Sequence, residues 1–380
     1  MNAIFEEEHL AFGESVRQFI DRHIAPNFEE WEKNKRVDRS LFIEAGKAGF
    51  IGVEIDESFG GGGVKDFRYN AVLDREIARS GFTGAALALA LQNDVVLPYF
   101  SDLTNEEQKK RWLPKIVSGQ YIIAIAMTEP NTGSDLAGIR TSALVDGDEY
   151  VINGSKTFIS NGQNADLVVV AVRTSQDPHK GLSLIVVERD TPGFTRGRNL
   201  DKIGLASQDT SELFFENCRV PRENLLGDEG QGFYYLVRNL PQERLSLALG
   251  ALGAAEGAFE WTVEYIKERK AFGVPIGSFQ NSRFTIADLS TELDVSASFV
   301  ESCLVAHLNG QLDAIRAAKV KLHTTEMQLR VVDRCLQLHG GYGYMREYPI
   351  ARAYVDARIQ TIYGGTSEIM KEIIGRSYGL

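Results

Sequence analysis

The sequence predicts a multidomain α+β protein in which a helical N-terminal domain and a C-terminal helical bundle flank a middle β-barrel or β-sandwich domain. Three observations predict this class. The chain has 380 residues, too many for one ordinary core. Apolar residues follow helical spacing at both ends, and short β-branched runs lie between them. We therefore expect domains at residues 1–122, 123–235 and 236–380.

The N-terminal region shows a helical pattern interrupted by loops. Four glycines at 60–63 must form a loop, because they would cost too much entropy inside a helix. A new helix is expected after Leu103, with Thr104 as N-cap and Glu107 three residues later. Helical spacing is clearest in the first segment, at Phe12, Val16, Phe19 and Ile20.

The pattern changes near Ile122. Apolar runs at 122–127, 167–172, 182–187 and 213–215 are rich in β-branched residues, and turn sequences at 146–148, 153–154 and 192–193 separate them. Short strands divided by such turns are typical of a small all-β domain.

Helical spacing returns after Pro241 and continues. Two further helices are expected at 280–307 and 311–338, which makes a bundle the natural product. Glycines at 250, 253 and 257 would let a neighbouring helix approach closely. The first bundle helix carries one apolar stripe, at Leu245, Leu249, Leu252, Ala255 and Phe259.

Composition and charge exclude several functions. A net charge of -11 argues against nucleic acid or an anionic membrane as the main partner. Three widely spaced cysteines without a ligand motif favour neither disulfides nor zinc. The acidic start resembles no targeting segment, and no apolar run has membrane-spanning length, so we expect a cytoplasmic protein. Glu6 and His9 have the spacing of half a di-iron motif but stand alone, and we expect a solvated helix face and no metal.

Three polar or glycine-rich segments are candidates for ligand binding. The loop at 126–135 offers backbone N–H groups to a flat heterocycle or an anion, or it is an ordinary cluster of turns. The break at 337–344 suits a phosphate near a helix start, or a simple helix C-cap. The segment 362–368 predicts a helix capped by Thr366 or Ser367.

Taken together and in order, these segments are far more specific than any is alone. The matching stretches are AMTEPNTGSDLAG at 126–138, GSKTFISN at 154–161, VPRENLLG at 220–227, RKAFG at 269–273, QLHGGYGYMREYPIARAYVD at 337–356 and IYGGTSEI at 362–369. With them the chain resembles the acyl-CoA dehydrogenase family along essentially its whole length. Thr132 stands where the family usually has Ala or Gly. The resemblance implies that the C-terminal helices form a four-helix bundle. It also implies FAD-dependent introduction of a 2,3 double bond into an acyl thioester.

The resemblance also implies which residues hold FAD between the β domain and the bundle. Phe158 occupies a position often held by Trp, where an aromatic ring can cover the flavin. Residues expected at the cofactor of the same subunit are Thr128, Ser134, Phe158, Ser160, Thr366 and Glu368, with Ser134 also near the substrate. Those expected to reach the FAD of a neighbouring subunit, and so to imply a homotetramer, are Arg269, Phe272, Gln280, Gln337 and Gly341.

The catalytic base is where this sequence departs from the commonest family pattern. Many members carry a glutamate directly before the Gly-Thr of the last motif, and here that position is Gly364. A long-chain and isovaleryl-type subset places the base on the first bundle helix, directly before an arginine, which corresponds to Glu243 and Arg244. We expect Glu243 to be the base, Arg244 to lie near the substrate, and the Gly364 backbone N–H to bind the thioester carbonyl.

Several alternatives stay open. Glu243 could instead be a first-turn glutamate favoured by the helix dipole, in an inactive paralogue. The expected reaction converts acyl-CoA to trans-2-enoyl-CoA with an electron-transfer flavoprotein as acceptor. A carrier-protein thioester is the close runner-up, followed by a flavin monooxygenase or oxidase and a non-catalytic FAD-binding protein. The missing side chain at Gly364 suggests room beside the thioester for long or branched chains.

Overall fold

The computed structural model of the protein describes residues 4–177 and 180–380. Its N-terminal part is helical, and a π-helical turn, Leu91–Val96, joins the fifth and sixth helices. The helices are α1 (Glu7–Phe19), α2 (Phe28–Asn34), α3 (Ser40–Lys47), α4 (Arg68–Arg79), α5 (Thr83–Ala90), α6 (Leu97–Asp102) and α7 (Glu106–Val117).

Two helix starts differ in detail from the sequence prediction. Asn105, not Thr104, caps α7, because its Oδ1 accepts from the backbone N–H of Gln108 at 2.9 Å while the Gln108 side chain accepts in return. At α1, His9 is fully buried: its Nδ1 accepts from the backbone N–H of Glu6 and its Nε2 lies 3.2 Å from Asp66. The expected solvated face is therefore wrong for His9, whose ring helps to cap the helix.

The middle of the chain forms one mixed eight-stranded sheet in the order β6-β7-β3-β2-β4-β5-β8, with β1 paired in parallel to β4. The predicted turn at 146–148 joins β2 to β3, but the predicted turn at 153–154 is wrong. Gly154 lies inside β3 at a shift in register, so this glycine marks a bulge. The strands are β1 (Ile123–Ala126), β2 (Ser142–Asp146), β3 (Glu149–Ser160), β4 (Leu167–Arg173), β5 (Leu182–Glu188), β6 (Phe194–Asn199), β7 (Thr210–Pro221) and β8 (Leu225–Leu226).

The central strands are buried on both faces, which explains their continuous apolar sequence. Alternate residues of β4 face two different cores. Val169 packs in a cluster with the α7 side chains Trp112 and Ile116, whereas Val168 and Val170 pack against the interior of the sheet. The sheet thus joins the N-terminal helices on one side to its own β core on the other.

The C-terminal part consists of three long helices and two shorter ones packed on the last long helix. The helix that carries Pro241 begins nine residues before it, at Gly232, so the proline lies within the helix and does not precede it. The helices are α8 (Gly232–Glu268), α9 (Gln280–Leu308), α10 (Ala314–His339), α11 (Pro349–Ala357) and α12 (Ser367–Arg376), and a small hairpin of β9 (Lys270–Ala271) and β10 (Val274–Pro275) follows α8. In the described part of the chain, no helix combines the length and apolar character needed to cross a lipid bilayer.

Helix α8 contacts α4 of the N-terminal region at very short range. A Cβ added at Gly253 would lie 2.5 Å from the Arg75 carbonyl oxygen, and one at Gly257 would overlap that of Arg79. An ion pair between Arg75 and Glu256 flanks the contact. Two of the three glycines expected to admit a neighbour therefore do so, and the neighbour is α4.

We expect Gly257→Ala to destabilise the protein by about 1–3 kcal/mol, because its methyl group overlaps the α4 backbone. Gly250→Ala is the matched control on the same helix, since a Cβ there meets no atom within 4 Å. It should be neutral or stabilising by about 0.5–1 kcal/mol through helix propensity. Thermal unfolding of both variants measures the difference, and equal midpoints would contradict the close contact.

Candidate active site

Glu243 lies on α8 with its side chain almost entirely buried, at 5% exposure. The hydroxyl group of Tyr99 donates to its Oε1 at 3.2 Å, and the amide of Asn239 donates to the same oxygen at 3.0 Å. Asn239 also donates to the carbonyl oxygen of Val95 at 3.0 Å. Two donors thus hold one carboxylate oxygen, and among the described residues none donates a hydrogen bond to Oε2.

Burial raises the pKa of Glu243 to about 7, while the hydrogen bonds from Asn239 and Tyr99 and the charge of Arg244 oppose the rise. A base of this pKa suits proton abstraction at neutral pH. The alternative of a first-turn glutamate is wrong, because Glu243 is eleven residues from the start of α8 at Gly232 and the dipole effect is confined to the first turn.

Two buried cations hold the loop that contains Gly364. The Nε of Arg244 donates to the Gly364 carbonyl oxygen at 3.4 Å, and the Nζ of Lys321 donates to that of Gly365 at 2.7 Å. Burial lowers the pKa of Lys321 to about 8. Sequence reasoning missed Lys321, which reads as an ordinary helical lysine of α10 and carries no motif.

Gly364 has a φ of +63°, a conformation that favours glycine. A Cβ at this position would overlap the side chain of Leu247, which lies one helical turn after Glu243. Leu247 therefore occupies the space that a side chain at 364 would need. The room expected beside the thioester is not left open on this side.

The loop at 126–135 is held by a buried ion pair. The Nζ of Lys156 donates to Glu129 at 2.9 Å and to the carbonyl oxygen of Met127 at 3.0 Å. The same glutamate accepts the backbone N–H groups of Arg140 and Thr141, both at 2.8 Å, so it closes the loop from within. This leaves the exposed Ser134 at the tip.

Phe158 lies beside this loop in an unusual conformation. The backbone N–H of Thr157 donates to the carbonyl oxygen of Thr128 at 2.9 Å, which brings the loop against β3. Phe158 follows with φ +60° and is 65% exposed, at a register shift that ends before Ile159. Left-handed backbone is uncommon for a residue other than glycine, and such strained residues cluster at active sites and ligand-binding sites. Ser160, the last residue of β3, is half-buried nearby.

The residues expected to reach a second subunit surround another cleft. Its volume is about 560 Å³, and Arg269, Gln337 and Gly341 line it together. The guanidinium of Arg269 lies 5.2 Å from the ring centroid of Tyr342. Phe272 projects from the adjacent hairpin with 97% exposure. Gln280, which begins α9, is also exposed.

The residues around Glu243 and the cleft lined by Arg269 are far apart in one chain. Glu243 and Arg269 are 26 residues apart along α8 and its C-cap, which corresponds to roughly 39 Å of helix. Thr366 and Glu368 lie on the side of Glu243, since Thr366 caps α12 directly after the Gly364 loop, which Arg244 contacts. One chain therefore does not bring all predicted cofactor residues together.

The site thus combines a buried carboxyl group of raised pKa on α8 with a glycine-rich loop, at the contact between the helical bundle and the N-terminal helices. The chain belongs to the acyl-CoA dehydrogenase family. The family's N-terminal domain matches residues 6–120, its middle domain 124–218 and its C-terminal domain 230–379. The predicted family and fold class are confirmed.

Individual relatives agree. The chain is 48% identical over 376 residues to a mitochondrial long-chain specific acyl-CoA dehydrogenase of Sus scrofa, covering 98% of this chain and 87% of the relative. It is 47% identical to a solved acyl-CoA dehydrogenase from Geobacillus kaustophilus, with a TM-score of 0.97 and full coverage of both chains. A glutaryl-CoA dehydrogenase from Mycobacterium smegmatis, solved in complex with FADH2, has 28% identity and a TM-score of 0.92 over 99% of this chain and 95% of that one. The family is FAD-dependent, and its members are oxidoreductases acting on CH–CH groups.

We expect Gly364→Ala to destabilise the loop, because alanine in the left-handed region costs roughly 1–2 kcal/mol and its methyl group meets Leu247. Leu247→Ala in the same protein should return part of this loss by clearing the overlap. A double-mutant cycle of thermal unfolding tests the contact: we expect a coupling energy of about 0.5–3 kcal/mol. Strict additivity would contradict the packing of Leu247 on Gly364.

Proposed function

We propose that this protein oxidises acyl-CoA to trans-2-enoyl-CoA with Glu243 as the base that removes the α-proton. One observation carries the proposal: the Glu243 carboxyl is buried, has a pKa near 7 and is held through Oε1 alone by Tyr99 and Asn239. Bound FAD supplies the acceptor for the hydride that leaves the β-carbon. The relatives do not favour the carrier-protein, monooxygenase and non-catalytic alternatives.

The protein groups around the thioester have distinct roles in this proposal. Oε2 of Glu243 receives the α-proton. The Gly364 N–H donates to the thioester carbonyl as negative charge develops there. Arg244 and Lys321 hold the loop by its carbonyl oxygens, and their charges favour the same developing charge. Arg244 therefore contributes to substrate binding mainly by fixing the loop.

The cofactor residues fit a flavin by their local structure. Phe158 offers an exposed aromatic face, and the loop that contains Thr128 and Ser134 lies against it. We propose that Ser160 completes this side, that Thr366 and Glu368 contact FAD from the bundle, and that Ser134 also meets the substrate. The support is that Phe158 is exposed beside the loop at 126–135 and that Thr366 caps α12 directly after the Gly364 loop.

We propose that the protein is a homotetramer, on the basis of the cleft at Arg269. Arg269, Gln337 and Gly341 line a cavity roughly 39 Å along the helix from Glu243, so they suit the cofactor of another subunit. The exposed Phe272 and the start of α9 at Gln280 extend the same surface. Large exposed apolar groups of this kind mark interaction surfaces.

The remaining assignments are also proposals. We propose domain limits at 1–122, 123–235 and 236–380. The change from helix to strand after α7 supports the first limit, whereas the second falls within α8, which begins at Gly232. We propose a cytoplasmic protein of fatty-acid metabolism that uses long or branched acyl-CoA and passes electrons to an electron-transfer flavoprotein. The long-chain relative and the glutamate on α8 support this substrate class.

We expect anaerobic titration with acyl-CoA thioesters to bleach the flavin, and Glu243→Gln to slow bleaching by roughly 10²–10⁴-fold with FAD still bound. The glutamine oxygen keeps both hydrogen bonds of Oε1. The bleaching rate at low substrate should rise with pH through about 7, because only the ionised carboxyl accepts a proton. Glu264→Gln, an exposed change on the same helix, is the control. Full activity in Glu243→Gln would refute the base.

We expect Arg269→Met to weaken FAD retention and to lower the fraction of oligomer. Lys270→Met removes the same charge from the adjacent exposed residue and should retain both. Gel filtration with absorbance at protein and flavin wavelengths measures the two properties at once. Equal flavin content in both variants would contradict a cofactor role for Arg269.

A further inference from the structure

Two fully buried aspartates meet one serine under α8, close to Glu243. Asp74 of α4 is 3% exposed, Asp94 of the π-helical turn 0% and Ser246 of α8 3%. The Oγ of Ser246 lies 2.8 Å from Oδ2 of Asp74 and 2.6 Å from Oδ2 of Asp94. The amide of Asn70 donates to the other oxygen of Asp94 at 2.7 Å.

The hydrogen count of this cluster requires an extra proton. A serine hydroxyl has one hydrogen, so it can donate to only one of the two carboxyl groups. The other carboxyl, within hydrogen-bond distance of the same oxygen, must donate to it and therefore be protonated. Two ionised carboxylates this close would repel each other, and in the described part of the chain no cation acts on either aspartate to offset the repulsion. Protonation of one carboxyl group removes it.

The surroundings decide which aspartate holds the proton. Burial raises the pKa of both aspartates, but hydrogen bonds from Ser246 and Asn70 oppose the rise at Asp94. Asp74 has no comparable support beyond Ser246, and the charge of Asp94 raises its pKa further. Glu54, an acidic group of the preceding loop, has a pKa raised to about 7 by burial and next by the negative charge of Asp94. The chain of donation runs from Asp74 to Ser246 to Asp94.

The cluster is joined to the base through the π-helical turn. The carbonyl oxygen of Asp94 accepts from the Gln242 amide at 2.8 Å, and that of Val95 accepts from Asn239, the residue that holds Glu243. Tyr99 follows in α6, directly after the same turn. Irregular π turns frequently lie at functional sites.

We propose that Asp74, Ser246 and Asp94 form a one-proton network, with Asp74 as the carboxylic acid and Asp94 as the carboxylate, that docks the turn Leu91–Val96 on α8 and thereby positions Glu243. The positioning part rests on the proposed role of Glu243 as base. The protonation part is independent of it.

The assignment predicts opposite effects for two similar substitutions. Asp74→Asn replaces the acid O–H by an amide N–H that still donates to Ser246. Asp94→Asn replaces one acceptor oxygen by an amide donor. The Ser246 hydrogen then either loses its acceptor or must be accepted by an ionised Asp74, which has no hydrogen bond from Asn70 to stabilise its charge. We expect the thermal midpoint to stay within about 2 °C in Asp74→Asn and to fall by about 5 °C or more in Asp94→Asn. Equal losses in both variants, or the reverse order, would overturn the assignment.

Infrared difference spectroscopy at pH 9, where Glu243 is ionised, tests the proton directly. The carbonyl band of a buried carboxylic acid should be present in the unmodified holoenzyme and absent from the Asp74→Asn variant, so the difference spectrum should show its loss. An unchanged band in this variant would overturn the protonation of Asp74, whatever reaction the enzyme catalyses.

Flavin bleaching of folded, FAD-loaded protein tests positioning. At pH 9 and saturating long-chain acyl-CoA we expect Asp94→Asn to lower the limiting rate by about tenfold or more, with half-saturation nearly unchanged, because a displaced base costs rate and not binding. Asp74→Asn should retain the limiting rate. An unchanged rate in Asp94→Asn overturns positioning while the base stands, whereas loss of the proposed function appears as no bleaching in the unmodified protein.

Discussion

The close packing of α8 on the N-terminal helices is the contact on which the active site depends. Gly253 and Gly257 permit it by exposing helix backbone to α4. At this distance Tyr99, from the N-terminal part, reaches Glu243, from the C-terminal part. Two residues 144 positions apart in the sequence thus meet at the proposed base, and the packing of α8 on the N-terminal helices keeps this donor in place.

A second buried carboxyl joins all three parts of the molecule. Asp356 of α11 accepts from the hydroxyl of Thr83 in α5 at 2.7 Å and from the backbone N–H of Leu205, in the loop between β6 and β7, at 2.5 Å. Burial raises the pKa of Asp356, which its two donors oppose. Because Phe158 and the loop at 126–135, which we propose to hold the flavin, lie on the β domain and the proposed base lies on α8, this junction helps to fix their relative position.

Local sequence patterns predicted most of the secondary structure and failed where tertiary contacts overrode them. The helices at 280–308 and 314–339 and the buried strands β4 and β5 follow directly from periodicity. Asn153-Gly154 resembles a turn, but cross-strand pairing on both sides carries β3 through it with a bulge. Pro241 resembles a helix start, yet it lies within α8, where Gln242 and Asn239 bond to the neighbouring turn.

The sequence by itself determined the family, the order of helical and β regions and the candidate base, because ordered motifs and the Glu243–Arg244 pair are local properties of the chain. It could not show that Tyr99 and Lys321 complete the site, since both come from distant elements and carry no motif. Burial decided the rest: only in the folded protein does loss of water bring the pKa of Glu243 near 7 and leave Asp74 and Asp94 to share one proton.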